Sequence, residues 1–139
     1  MTDLLRLFTR AHKLLQAATD EAMSAHGVRV GQNLVLEVLW AEDGLTPGEL
    51  AARLRVSTPT VVNAATRMET AGLITRRRDD ADARLVRLYL TDTGRAAEKP
   101  VGDARAALAR HVTAELTPEE RAATESALHK IIRALAPES

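Results

Sequence analysis

Apolar residues recur along this chain with helical spacing, interrupted once by two short runs that read as strands. From Asp3 to about Ala25, Leu4, Leu7, Phe8, Ala11, Leu14, Leu15 and Ala18 repeat at intervals of three and four, with Arg, Lys and Gln between them. That spacing predicts an amphipathic helix ending at His26-Gly27, since glycine commonly follows a helix C-terminus. A second helix is predicted from Val30 to Ala41, with Leu34, Val35, Val38 and Leu39 on its apolar stripe and Glu42-Asp43-Gly44 as the closing turn. Two short helices follow. Thr46, Pro47 and Glu49 form a capping-box pattern ahead of Leu50, Ala51 and Leu54; after Arg55-Val56-Ser57, Thr58 and Pro59 open a helix that Gly72 stops. Leu73–Arg77 and Leu85–Leu90 then suit two strands joined by the polar turn 78–84, a hairpin. Thr91-Asp92-Thr93-Gly94 opens a helix to about Leu116 that Pro100 and Gly102 should kink or break. Thr117-Pro118-Glu119-Glu120 starts a last helix carrying Leu128, Ile131, Ile132 and Leu135 on one face. The predicted fold is mainly α with a small β-hairpin (α+β).

The middle of this order, helix, short turn, helix, hairpin, carries the functional signal. In a helix-turn-helix the first helix packs across the second through a tight connection. Here Leu50, Ala51 and Leu54 offer one apolar face, Val56 fills the turn, and Val61, Ala65 and Met68 offer the other. The opposite face of the second helix presents Thr60, Val62, Asn63, Thr66 and Arg67. An asparagine can pair bidentately with adenine, and valine or threonine methyls can touch thymine. Ser57, Thr58 and Thr60, at the helix start with Pro59, suit phosphate, although the first two would serve equally as caps. The hairpin adds Arg76, Arg77, Arg78 and Arg84, suited to a DNA backbone or a minor groove. Asp82 is unusual in a loop facing DNA and is expected to orient Arg84 or Arg76.

Charge sharpens this picture. The 139-residue chain has 19 basic and 19 acidic residues, so its net charge is zero. Between Thr46 and Thr91, however, eight arginines face five acids, a net +3 that leaves −3 elsewhere, and a basic middle fits a polyanionic partner. Composition mainly excludes. Hydrophobic residues are 45% of the chain, enough for a packed core, and aromatics only 2% (Phe8, Trp40, Tyr89). Without cysteine there is no disulfide, thiolate metal site or thiol redox sensor. The start, Met1 to Arg6, lacks the pattern of a signal peptide, and charges interrupt every apolar run, so a soluble cytoplasmic protein with no membrane partner is expected. No nucleophile–base pair, phosphate loop or metal signature appears, so neither an enzyme nor a cofactor is expected. His111 and Glu115, four apart, have a spacing that metals can use, though such pairs are more often surface contacts.

In order and spacing, several segments resemble the MarR family of winged helix-turn-helix transcriptional regulators. They are Leu45–Ala51, Ser57–Val61, Met68–Arg76, then Asp82-Ala83-Arg84 followed by Leu90-Thr91-Asp92-Thr93-Gly94. The resemblance implies a homodimer on a palindromic DNA site, commonly a repressor released by a small organic ligand. It implies dimerisation helices at 1–29 and 100–139 around a DNA-binding lobe at 30–99. Thr60, Asn63 and Arg67 would face the major groove, Arg84 the minor groove, and Arg76 with Asp82 would brace the wing. Where the family's wing often has a second arginine, this chain has Ala83. The dimer also follows from the broad apolar stripes of the first and last helices, which a single small lobe could not cover. A ligand cleft would draw on Phe8, His12 and Trp40, although Phe8 and Trp40 serve equally as core. A winged helix used for protein contact, or a DNA-binding protein without a ligand, are the alternative readings.

Overall fold

A computed structural model describes residues 3–29 and 31–136, in two compact units that divide between Arg105 and Ala106. In the first unit, α1 (Leu4–Ser24) starts at Asp3, whose side chain accepts from the Arg6 N–H. It ends at Gly27 with φ +76°, a conformation that costs glycine little. Its last turn contributes Met23, fully buried beside Val28, while Leu4, Leu5, Leu7, Phe8, Leu14 and Leu15 are all exposed. The predicted start of the second helix at Val30 lies outside the described residues; α2 spans Gln32–Ala41. Its buried side is Val35, Leu36 and Leu39. The expected stripe is therefore rotated: Leu34 is exposed and Leu36, absent from the prediction, is fully buried. Nearly every residue from Leu34 to Trp40 is apolar, so periodicity cannot select a face, and packing does.

Next come α3 (Pro47–Leu54) and α4 (Thr58–Thr70), then the antiparallel pair β1 (Ile74–Arg78) and β2 (Val86–Leu90). The α3 capping box is only half made. The Thr46 hydroxyl accepts from the Glu49 N–H at 3.1 Å, but the Glu49 carboxylate accepts from that hydroxyl rather than from the Thr46 backbone. The register pairs Ile74 with Leu90 and Arg78 with Val86, and Leu45 adds an isolated bridge to Leu88. The expected break falls between α5 (Asp92–Ala96) and α6 (Glu98–Val112), with Pro100 in the first turn of α6, where a missing N–H costs least. The core joins Leu36, Leu39, Leu50, Val61, Met68, Ile74, Leu88 and Val101.

The second unit comprises the end of α6, a turn, and α7 (Pro118–Leu135). Here the capping box is complete, between Thr117 and Glu120. No residue of α7 is buried; Leu128, Ile132 and Leu135 are exposed, the last at 79%.

Candidate nucleic-acid interface

The α3–α4 connection is three residues long and turns on Arg55, whose φ of +56° makes it the left-handed cap of α3. The Val56 N–H closes that end on the Ala51 carbonyl at 3.1 Å. Val56 does not fill the turn as expected: it is exposed. Ser57 caps α4, accepting from the Thr60 N–H at 3.2 Å while the two hydroxyls meet at 2.7 Å. Thr58 and Pro59 occupy the first turn. Val61, Ala65 and Met68 are buried; Thr60, Val62, Asn63, Thr66 and Arg67 face outward and are exposed. One helix thus holds an apolar inner face against the core and a polar outer face of small side chains. To one side of it, Thr60, Asn63 and Arg67 line a hollow with Arg29 and Gln32.

On the other side stands the hairpin. Register puts Ile74, Arg76 and Arg78 on one face with Leu90, Leu88 and Val86. Ile74, Leu88 and Leu90 are buried, so Arg76 is carried to the margin of α4. There its Nη2 donates to Thr66 Oγ1 at 2.7 Å and its Nε lies 3.7 Å from Glu69. Of the two partners expected for Asp82, the structure gives Arg84, while Arg76 ties to α4. Arg84 donates through Nε and Nη2 to the two Asp82 oxygens at 3.0 and 3.1 Å, and its backbone N–H bonds Asp82 Oδ1 as well. A two-pronged pair of this kind fixes the guanidinium plane. The Arg84 side chain nonetheless remains 90% exposed. Arg78 donates to the Ala83 carbonyl, and Arg77 stacks over Tyr89, 3.9 Å from the ring centroid.

Two residues of the wing had no assigned role at the level of sequence. The Asp79 carboxylate accepts from the Ala81 and Asp82 N–H groups and, at 2.6 Å, from Arg87 Nε. Arg87 also donates to the Gly44 carbonyl at 2.9 Å and pairs with Glu49 at 3.5 Å. It is therefore a strut between the hairpin and the α2–α3 region, not a free surface charge. The signal for it is the register, which sets Asp79 diagonally from Arg87 on one face. Arg87, then the backbone N–H of Asp82, hold the Asp79 carboxyl below its ordinary value; Arg84 does the same for Asp82. The same hydrogen bonds raise the two arginines, so all four groups are charged at neutral pH.

The residues expected to line a ligand cleft differ in burial. Trp40 packs on the core and its indole N–H donates to the Gly94 carbonyl at 2.9 Å. Phe8 and His12 are exposed on α1. His111 and Glu115 do not share the expected helical face: α6 ends at Val112, and Glu115 lies in the following turn. Among the described residues no group of three or more His, Cys, Asp or Glu could hold a metal, and no helix is long and apolar enough to cross a membrane.

A short-turn helix pair with an arginine-bearing hairpin beside its second helix defines a winged helix-turn-helix. Residues 26–85 match the MarR family. The chain is 38% identical over 88 residues to the HTH-type transcriptional regulator TtmR of Methylorubrum extorquens (strain PA1), covering 63% of this chain and 42% of TtmR. Two further curated relatives are covered over 57% and 43% of their length, whereas the HTH-type transcriptional regulator YsmB of Bacillus subtilis (strain 168), 28% identical, is covered over 90%. A solved structure of an E. coli MarR mutant complexed with operator DNA superposes with a TM-score of 0.82 at 26% identity, covering 93% of each chain. The S. aureus MepR–DNA complex shows the same fold, with a TM-score of 0.86 at 24% identity over 97% of this chain and all of that one. Residues 26–85 thus carry the MarR family pattern, the matched relatives are transcriptional regulators, and the fold over nearly the whole chain is that of the solved E. coli MarR structure.

Proposed function

We propose that this protein is a sequence-specific DNA-binding transcriptional regulator of the cytoplasm that grips a palindromic site as a homodimer. The observation that carries this reading is the outward face of α4. Thr60, Asn63, Thr66 and Arg67 are exposed together on a helix whose inner face is sealed in the core. Beside it, Arg84 is held by Asp82 and stays exposed. In this reading α4 enters the major groove, where Asn63 pairs with adenine and Arg67 with guanine or phosphate. Ser57, Thr58 and Thr60 take the backbone at the helix start, and the wing lays Arg84 along the minor groove with Arg77 and Arg78 on its phosphates. The E. coli MarR structure with operator DNA supports this orientation by likeness.

The homodimer rests on the exposed leucines of α1 and on Leu128, Ile132 and Leu135 of α7, apolar stripes that water disfavours and a second copy would cover. Repression, and release by a small organic ligand that favours a different spacing of the two recognition helices, follow from the family resemblance. Fluorescence anisotropy on DNA from the protein's own upstream region, across a salt series, tests the reading. The expected result is two protomers per palindrome and an affinity falling steeply with salt. Equal, weak binding to every fragment would overturn sequence-specific recognition.

A further inference from the structure

The wing is a two-stranded sheet, and a lone hairpin has little stability of its own. Register sets Arg87 directly opposite Arg77, a like-charge pairing that disfavours the ladder. The two guanidinium groups take different partners: Arg77 lies over the Tyr89 ring, while Arg87 meets Asp79, the Gly44 carbonyl and Glu49. Arg87 is 27% exposed against 90% for Arg84, so the first is engaged within the fold and the second is open to solvent. From Arg87 the contacts run on to the tip of the wing. Asp79 accepts the N–H groups of Ala81 and Asp82 at 3.0 and 2.8 Å, and Asp82 in turn accepts from the Arg84 side chain and N–H. In the other direction they reach α3, where Glu49 lies in the first turn and Leu50 shares the core with Val61 of α4. Wing tip and recognition helix are thus referred to one support.

We propose that Arg87 is a positioning residue for DNA binding: from the base of the wing, through Asp79 and the loop N–H groups, it sets the place of Arg84 without touching DNA itself. The inference rests on the DNA-binding reading above and adds to it a residue that acts only through another. Without the Arg87 guanidinium, the Asp82–Arg84 pair persists but loses its tie to α3 and the Gly44 turn, and ordering the loop becomes a cost of binding. A residue that acts through Arg84 has no effect once Arg84 is gone. A residue that supports the fold, or itself meets a phosphate, costs the same with or without Arg84.

The test is a double-mutant cycle on the full chain: parent, Arg84→Ala, Arg87→Leu and the double variant, on a fluorescein-labelled upstream duplex across a salt series, with thermal midpoints alongside. Arg84→Ala is expected to lose roughly tenfold in affinity and to lower the salt slope by about one unit. Arg87→Leu should lose several-fold, and the double variant should bind no more weakly than Arg84→Ala alone. Arg87→Lys, whose single ammonium cannot serve Asp79 and Gly44 through separate nitrogens, should fall between parent and Arg87→Leu, and it carries the same cycle if the leucine variant fails to fold. An Arg87 effect of the same size in both backgrounds would overturn the proposal, as would an Arg87→Leu variant that binds like the parent. If Arg84→Ala binds like the parent, the proposal falls because Arg84 makes no contact to position. If the unaltered chain does not bind the duplex, the DNA-binding reading itself fails, and this inference with it.

Discussion

Asp82 and Arg84 are both exposed enough to be solvated, yet each oxygen of the one meets a nitrogen of the other. Exposed ion pairs add little stability, so this pair matters for direction more than for folding. Asp82→Ala should leave the melting midpoint nearly unchanged while lowering operator affinity several-fold, because Arg84 then pays its ordering entropy on binding. Anisotropy alongside a thermal melt checks both halves; an unaltered affinity would make Asp82 a solubility charge. Asp79 behaves differently, since its carboxylate gathers two backbone N–H groups and Arg87. Its folded pKa is lowered, chiefly by Arg87, so its contribution is fully present above the unfolded value of about 3.9 and is lost as pH falls through the lower folded value. Amide exchange in 79–87, corrected for its intrinsic pH dependence, should show constant protection from pH 7 to about 5 and a loss only below the unfolded carboxyl value of about 3.9. In Asp79→Asn that acid step should vanish.

At the scale of elements, Gly94 shows why the Leu-Thr-x-x-Gly pattern closes the wing. Thr91 donates its hydroxyl to the Gly72 carbonyl and its N–H to that of Leu73, and it caps α5 through the Gly94 N–H. This draws α5 so close that a Cβ on Gly94 would lie 2.1 Å from the Leu73 carbonyl oxygen, a rigid backbone atom. Gly94→Ala should therefore cost about 3 kcal/mol, read as a lowered urea midpoint with unchanged slope. A variant as stable as the parent would mean that α5 can shift away from β1 freely. Trp40 would register such a shift, because its indole is bonded to the Gly94 carbonyl.

At the scale of the molecule, α1 and α7 carry most of the exposed large hydrophobic residues among the described ones. Leu7 and Leu14 on α1, and Ile132 on α7, are each more than half exposed. Leu7→Glu with Leu14→Glu, and separately Ile132→Glu, should convert a dimer into monomers by sedimentation. Operator affinity should fall with dimerisation, because one lobe alone contacts half a palindrome. Monomeric behaviour of the unaltered chain at micromolar concentration would refute the arrangement.

Much of this protein was legible before any fold was known, for local reasons. Caps at Thr46 and Thr117, prolines at helix starts, the three-and-four spacing of Val61, Ala65 and Met68, and the polar turn after Arg78 are each settled within a few residues, where propensity and hydrogen bonding act; the cap of α4, expected at Thr58, falls one residue earlier on Ser57. The outward residues of α4 follow from the same spacing. What needed the tertiary structure were the choices among equals. In α2 several apolar faces compete, and only packing buries Leu36 rather than Leu34. Among the wing arginines, identical in chemistry, distance alone gives Arg76 to Thr66, Arg84 to Asp82 and Arg87 to Asp79 and Gly44. The left-handed turn at Arg55 and the exposure of Val56 are likewise invisible to composition. Sequence determines which side chains can form charged pairs and apolar faces; the register of one hairpin and the packing of one core decide which of them meet.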